Sequence, residues 1–379
     1  MKAGASYVHS TKGRLMAANV PAIDNNLGPG EAGVHALIVG VGRYADATMP
    51  NLDGAPAASA LAFAEWLRTK QSIPNVKLGS IAMLASQPSN VPVQWQGTAL
   101  DAPTSANLQL AVDAWHARAA SNPQNVAIFY FCGHGVELGG GVQSLLLEDV
   151  NLASQNPFRN AMAFDGFLRG MDSCAARLQL YVIDACRDLP PGLMSWDDDA
   201  PAGEPFVRFN WKVRAKLQPR KNPVLQATGP SQKAWKGQAA GWFTEALLAV
   251  LEGAAGNNRL SANPEDYPIN TRDIPSTIDF LVKNDHLQSP DGPQSPRRAG
   301  DDDFDLHFPN PPRVPVLVTA KDAQSFNATC EGKPVGDALV PPWRTQLAVG
   351  AYVFTYSHAN GQASQPAEVD VPARKVVLP

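Results

Sequence analysis

The sequence predicts an α/β fold, a mainly parallel central sheet flanked by helices, followed by a small all-β sandwich domain. Three observations predict it. Residues 34–42, 126–131 and 178–185 are near-continuous apolar runs rich in Val, Ile, Leu and aromatic residues, the pattern of strands buried on both faces. Helix-length segments at residues 55–70, 104–118 and 164–177 lie around them, long enough for crossover connections. After the proline-rich residues 309–312 the chain carries only short β-type runs separated by turn residues.

In chain order, residues 1–32 are small and polar and read as a flexible leader. The first strand, 34–42, gives way to the turn Gly42-Arg43-Tyr44 and then to Leu52-Asp53-Gly54. In the helix that follows, 55–70, Leu61, Ala64, Trp66 and Leu67 line one face. Residues 81–84 form a short second strand, and Thr104 is the N-cap of the next helix. The strand at 126–131 is followed by Gly139, Gly140 and Gly141 and a β-ribbon edge at 143–147. The helix at 164–177 leads into the strand at 178–185. Residues 189–222 exceed the usual length of a loop, which marks them as functional or disordered. A strand at 223–228, a helix entered through Gly241, a last helix at 274–286 and a closing strand at 304–308 complete the α/β part.

Residues 309–313 read as a stiff linker. Beyond it, runs at 314–318, 325–330, 345–357 and 367–378 make an immunoglobulin-like β-sandwich of about 65 residues, a size that still folds alone. The expected organisation is a leader at 1–32, an α/β domain at 33–308, a linker at 309–313 and a sandwich at 314–379. The sandwich holds no catalytic grouping and suits binding, docking or dimer contact.

The chemistry lies at two strand ends. Ligands of open α/β sheets bind beyond the carboxyl ends of the strands. One strand ends in Asp184-Ala185-Cys186-Arg187-Asp188, where a cysteine is poor core filler and a candidate nucleophile. The other ends in Cys132-Gly133-His134-Gly135, whose glycines allow a sharp turn and close approach to a substrate. If the strands are parallel neighbours, thiol and imidazole meet at one sheet edge. Either residue alone has a bland reading, an inert buried thiol or a loop histidine. The pair favours catalysis. Cys132, Cys174 and His35 are assigned packing roles.

His134 stands about 50 residues before Cys186, the spacing of the caspase signature. With these local sequences, the chain resembles caspase-like cysteine peptidases of the caspase, paracaspase and metacaspase clan, over roughly residues 33–308. The resemblance implies a caspase-like sheet, a Cys186–His134 dyad, and an oxyanion hole from the backbone N–H groups of Gly135 and Cys186. It implies limited proteolysis of protein partners in a bacterial setting; a role in stress, defence or cell death follows from family analogy alone.

The resemblance also shapes the specificity. Asp184 replaces the glutamine of the caspase signature, as in metacaspases, paracaspases and clostripain, which cut after arginine or lysine. A carboxylate there would pair with a cationic P1 side chain. Two further acids usual in such pockets are missing: Ala58 and Lys236 occupy their positions. Lys236 would mask Asp184, or Asp53 would replace the missing charge. Basic P1 is the leading reading, with acidic and small apolar P1 open. Trp235 and Trp242 are candidates for an aromatic subsite wall and equally for core packing. The runs Asp197–Asp199 and 301–305 suggest calcium activation but lack the spacing of a calcium loop, so no cofactor is expected. Residues 189–222 resemble the linker that relatives cleave on activation, with Arg214, Lys216, Arg220 and Lys221 as self-cleavage points.

Composition excludes other classes. The 379 residues carry a formal charge of −4, which gives no reason to expect nucleic acid or an anionic membrane. No apolar run approaches the ~20 residues of a membrane helix, and the N-terminus lacks a secretory pattern, so a cytoplasmic protein is expected. The four cysteines have no disulfide or zinc spacing. There is no Gly-x-Ser-x-Gly elbow, and Gly40-Val41-Gly42 lacks the third glycine of a dinucleotide fingerprint. The expected partners are a protein or peptide substrate and an activating protein. The rival function is a catalytically silent caspase-like scaffold that recruits a partner through the sandwich.

Overall fold

The structure, a computed structural model, describes residues 20–138, 142–152, 154, 158–187, 219–258, 263, 265–358 and 361–379. The α/β part opens with β1 (Ile23–Asp24), β2 (Gly33–Val41), α1 (Ala55–Thr69) and β3 (Lys77–Ser86). A ribbon of β4 (Gln94–Trp95) and β5 (Thr98–Ala99) precedes α2 (Ser105–Ala119) and β6 (Val126–Gly133). Next come β7 (Gly135–Leu138), β8 (Val142–Leu146), β9 (Ala161–Ala163), α3 (Phe164–Met171), β10 (Leu178–Ala185) and β11 (Val224–Gln226). The part closes with α4 (Trp242–Leu251), β12 (Ile269–Asn270), α5 (Asp273–Lys283), β13 (Arg297–Ala299) and β14 (Asp305–His307).

Among the described residues the central sheet has seven strands in the order β1-β3-β2-β6-β10-β11-β13. The inner five are parallel; β1 and β13 are antiparallel edges. Strands β2 and β6 are buried along their whole length because helices cover both faces. One face packs α1, α4 and α5 through Phe63, Leu67, Phe243, Leu247 and Ile278. The other packs α2 and α3 through Leu108, Trp115, Phe167 and Met171. Thr104 caps α2 as its sequence position predicts, its hydroxyl accepting the Asn107 N–H at 3.3 Å.

Three expectations change. The 1–32 leader is not loose throughout: Ile23 and Asp24 pair with Ile81 and Ser80 as an edge strand, while residues 1–19 lie outside the described residues. Helix α3 stops at Met171 rather than running to residue 177. Ser173 donates its hydroxyl to Gly170 O and Cys174 its N–H to Met171 O, turning the chain toward β10. The stretch expected to close the sheet, β14, pairs with β12 away from it. The closing strand is β13, whose Arg297 and Ala299 are exposed, so it carries no apolar pattern.

The C-terminal strands are β15 (Arg313–Ala320), β16 (Phe326–Cys330), β17 (Lys333–Leu339), β18 (Trp343–Ala348), β19 (Gly350–His358), β20 (Gly361–Val369) and β21 (Arg374–Leu378). They form sheets β18-β15-β21 and β17-β16-β19-β20. Val314, Val316, Val318, Phe326, Phe354 and Leu378 fill the space between them, a sandwich as expected. The single runs predicted at 345–357 and 367–378 are each two strands, the first broken at Val349, just before Gly350 with φ 150°, and the second between Val369 and Arg374.

Candidate active site

The pairing of β6 with β10 sets the geometry. In their parallel register Asp184 lies opposite Cys132 and Ala185 opposite Gly133. One step further, beyond both strand ends, the chain reaches His134 and Cys186. Gly135 packs directly on the nucleophile's segment: a Cβ there would sit 2.6 Å from Cys186 O and 3.0 Å from Ala185 Cβ. Only glycine allows this approach without displacing the Cys186 backbone. The two residues singled out from sequence therefore share the carboxyl edge of the sheet.

His134 is held by the loop after β2. Its Nε2 lies 2.9 Å from Pro50 O. A carbonyl only accepts, so Nε2 carries the proton in the neutral ring and Nδ1 keeps the lone pair. The His134 backbone N–H donates to Tyr44 Oη at 2.7 Å, and the Tyr44 ring packs against the imidazole at a centroid distance of 4.9 Å. Burial raises the Tyr44 phenol well above its ordinary range, so it stays protonated. Neither Pro50 nor Tyr44 emerges from the sequence as a site residue. A backbone carbonyl leaves no residue-type signal, and Tyr44 reads only as part of a turn.

Cys186 is half-buried and faces the loop after β11. Ala234 donates its N–H to Cys186 Sγ at 3.2 Å. The same loop pairs with the next residue: Arg187 N–H donates to Gln232 O and Ser231 N–H to Arg187 O, at 3.0 and 3.1 Å. The Arg187 side chain forms an ion pair with Glu137 at 3.2 Å and donates to Gln226 Oε1 at 3.1 Å. One arginine thus joins β10, β7, β11 and the loop over the thiol. Cys132 and Cys174 are buried, and burial pushes both thiols up, as befits packing residues. His35 is buried as well, its Nδ1 2.9 Å from Ser80 Oγ.

Asp184 lies beneath this edge and is 3% exposed. Its Oδ2 accepts the Thr244 N–H at 3.2 Å and the Thr244 hydroxyl at 2.6 Å. Thr244 is in the first turn of α4, whose N-cap Gly241 has no side chain to cap it, so Asp184 supplies the missing acceptor. Burial pushes the Asp184 carboxyl up to about 6, against the Thr244 hydrogen bonds that favour the charged form. Lys236 does not pair with Asp184. It meets Asp53 at 3.0 Å, both side chains largely exposed. That ion pair links the two loops that hold the dyad residues, since Asp53 follows Pro50 and Lys236 follows Ala234.

The two tryptophans occupy different places. Trp242 is buried in the core, donates its indole N–H to Gln288 O at 2.8 Å, and lines a cavity of about 280 Å³ with Lys236, Gln238, Glu245 and Asp291. Trp235 packs against Gly292, where a Cβ would come within 2.4 Å of its ring.

In the acidic run at 301–305, Asp303 accepts from Thr271, Arg272 and Arg298, and Asp305 from Asn270. Its best-buried carboxylate is therefore neutralised by two guanidinium groups. Among the described residues no cluster of three or more His, Cys, Asp or Glu is placed to hold a metal ion. Asp197–Asp199, Arg214, Lys216, and Gly139–Gly141 lie outside the described residues. Arg220 is held by Met171 O and Asp172, and Lys221 continues the pairing beside β10 through Arg177 O and Gln179 N–H. No described helix is long and apolar enough to cross a membrane.

The caspase-domain family model matches residues 34–263, and the chain belongs to that family. A caspase domain is the mark of a cysteine protease. The chain is 28% identical over 296 residues to an uncharacterized protein of Sinorhizobium fredii, covering 75% of this chain and 80% of that one. It is 27% identical over 235 residues to a probable protease of a Desulfuromonadales bacterium, covering 59% of this chain and 26% of that protein's length. Among solved structures it resembles caspase-1 from Spodoptera frugiperda, at TM-score 0.41 and 13% identity, covering 74% of this chain and 94% of that one. It also resembles a Geobacter sulfurreducens protein, at TM-score 0.43 and 16% identity, covering 72% and 95%.

Proposed function

We propose that the protein is a cysteine endopeptidase that cuts protein partners with a Cys186–His134 dyad. The observation that carries this reading is the Nε2 hydrogen bond of His134 to Pro50 O, which leaves Nδ1 as the basic nitrogen at the edge shared with Cys186. The Cys186 thiol gives its proton to that nitrogen, and the thiolate attacks the scissile carbonyl carbon. The tetrahedral oxyanion is held by the backbone N–H groups of Cys186 and Gly135, donors worth on the order of 100- to 1,000-fold in rate. Collapse breaks the C–N bond, and the imidazolium returns its proton to the leaving amine. Water then hydrolyses the thioester, releasing the new carboxylate and restoring the thiol.

For P1 the reading is a basic side chain. Asp184 is spent on Thr244, so the carboxylate offered to an arginine or lysine is Asp53, once it leaves Lys236. A substrate carboxylate would instead take Lys236, and acidic P1 is the outcome that reverses the assignment.

The test is cleavage of a fluorogenic P1 library by wild type and Cys186→Ala, with and without calcium. Activity after Arg or Lys that vanishes in the variant supports the whole reading. Activity after Asp or an apolar residue keeps the dyad and discards the Asp53 subsite. No turnover under any condition favours the scaffold reading.

A further inference from the structure

We propose that Tyr44 is the positioning residue that holds His134 in its working orientation; this rests on the dyad reading above. The loop at residues 42–53 touches His134 at three points. Pro50 O takes the ring Nε2, Tyr44 Oη takes the backbone N–H at 2.7 Å, and the Tyr44 ring lies on the imidazole at 4.9 Å with planes at 44°. The phenol sits where the backbone turns: a Cβ on Gly133 would come within 3.0 Å of its oxygen. Its own O–H points to Val41 O at 3.4 Å, so the hydroxyl spans the end of β2 and the residue after β6.

The tyrosine is itself fixed. Asn51 Oδ1 accepts the Tyr44 N–H at 2.8 Å, Leu52 N–H closes the loop onto Gly42 O at 2.9 Å, and Ala45 N–H donates to Glu148 O at 2.7 Å. Tyr44 is 5% exposed, so no solvent competes for its hydroxyl. Two hydrogen bonds and one ring contact thus fix both the backbone and the plane of the imidazole. A misplaced general base loses rate without losing substrate affinity. The ring face also favours the imidazolium formed when the thiol ionises, by a cation–π attraction.

Tyr44→Phe keeps the ring and removes the acceptor. We expect about a tenfold fall in kcat, with KM within about twofold of wild type, the effect of one hydrogen bond lost from the backbone that positions the general base. Asn51→Ala, which frees the Tyr44 backbone, shifts kcat in the same direction, and Asn51→Asp, which keeps an acceptor, restores it. Alkylation of Cys186 by iodoacetamide provides a readout independent of turnover. Its rate in Tyr44→Phe moves toward that of His134→Ala across pH 6 to 8. Unchanged kcat and alkylation rates in Tyr44→Phe overturn the inference, even if the variant melts at a lower temperature. If wild type turns over no peptide, the peptidase reading fails, while the alkylation series still decides the role of Tyr44.

Discussion

His134 Nε2 faces the carbonyl oxygen of Pro50 at 2.9 Å, and this contact fixes which ring nitrogen carries the proton. The expected neutral form is the Nε2–H tautomer. Nitrogen-15 NMR of histidine-labelled protein at neutral pH would read it directly. A dominant Nδ1–H tautomer would remove the base from the proposed mechanism.

Asp184 links stability to pH. Its folded-state value of about 6 lies above that of an unfolded aspartate, near 4. The folded state therefore binds the proton more tightly, so the contribution is fully present below about pH 4 and is lost as pH rises through 6. Replacing the carboxyl with an amide removes the titration. Relative to wild type, Asp184→Asn should gain about 2 kcal/mol between pH 4 and pH 7, read from urea unfolding at both values. Parallel curves would contradict the burial-driven shift.

Arg187 ties the nucleophile's strand to β7 and β11 through Glu137 and Gln226. Arg187→Met leaves the mostly buried Glu137 without its cation, and should cost about 2 kcal/mol of stability together with most of the activity. A variant within about 0.5 kcal/mol of wild type would show that the brace is incidental.

Asp53 is exposed, and its bond to Lys236 is screened by solvent, so Asp53→Ala should leave the melting temperature unchanged. The predicted effect is on KM: about a tenfold rise for Arg and Lys at P1, with neutral P1 unaffected. A uniform change across the library would place Asp53 outside the subsite.

The sequence was most legible where burial and periodicity agree. The runs that became β2, β6 and β10 are apolar on both faces because helices cover both, and that pattern announced a parallel sheet. Thr104 was readable as a cap because its hydroxyl does local work. Edge elements were not: β1 is two residues long and β13 is Arg-Arg-Ala, with little burial to impose a pattern. In the sandwich, β17 is mostly exposed and carries no apolar pattern for the same reason. Around His134, the Pro50 carbonyl is a backbone group that any residue could supply, so only the fold reveals it. The family resemblance makes Asp184 a pocket acid; its use as a cap for α4 depends on Thr244, about 60 residues away in sequence.

The most direct test of the central claim is covalent capture. Wild-type protein treated with a peptidyl acyloxymethyl ketone carrying Arg at P1 should gain one adduct by intact mass, mapped to Cys186. The adduct should be absent from Cys186→Ala and at least about tenfold slower to form in His134→Ala. An adduct at Cys330 or elsewhere, or one formed equally fast without His134, would contradict a Cys186–His134 dyad.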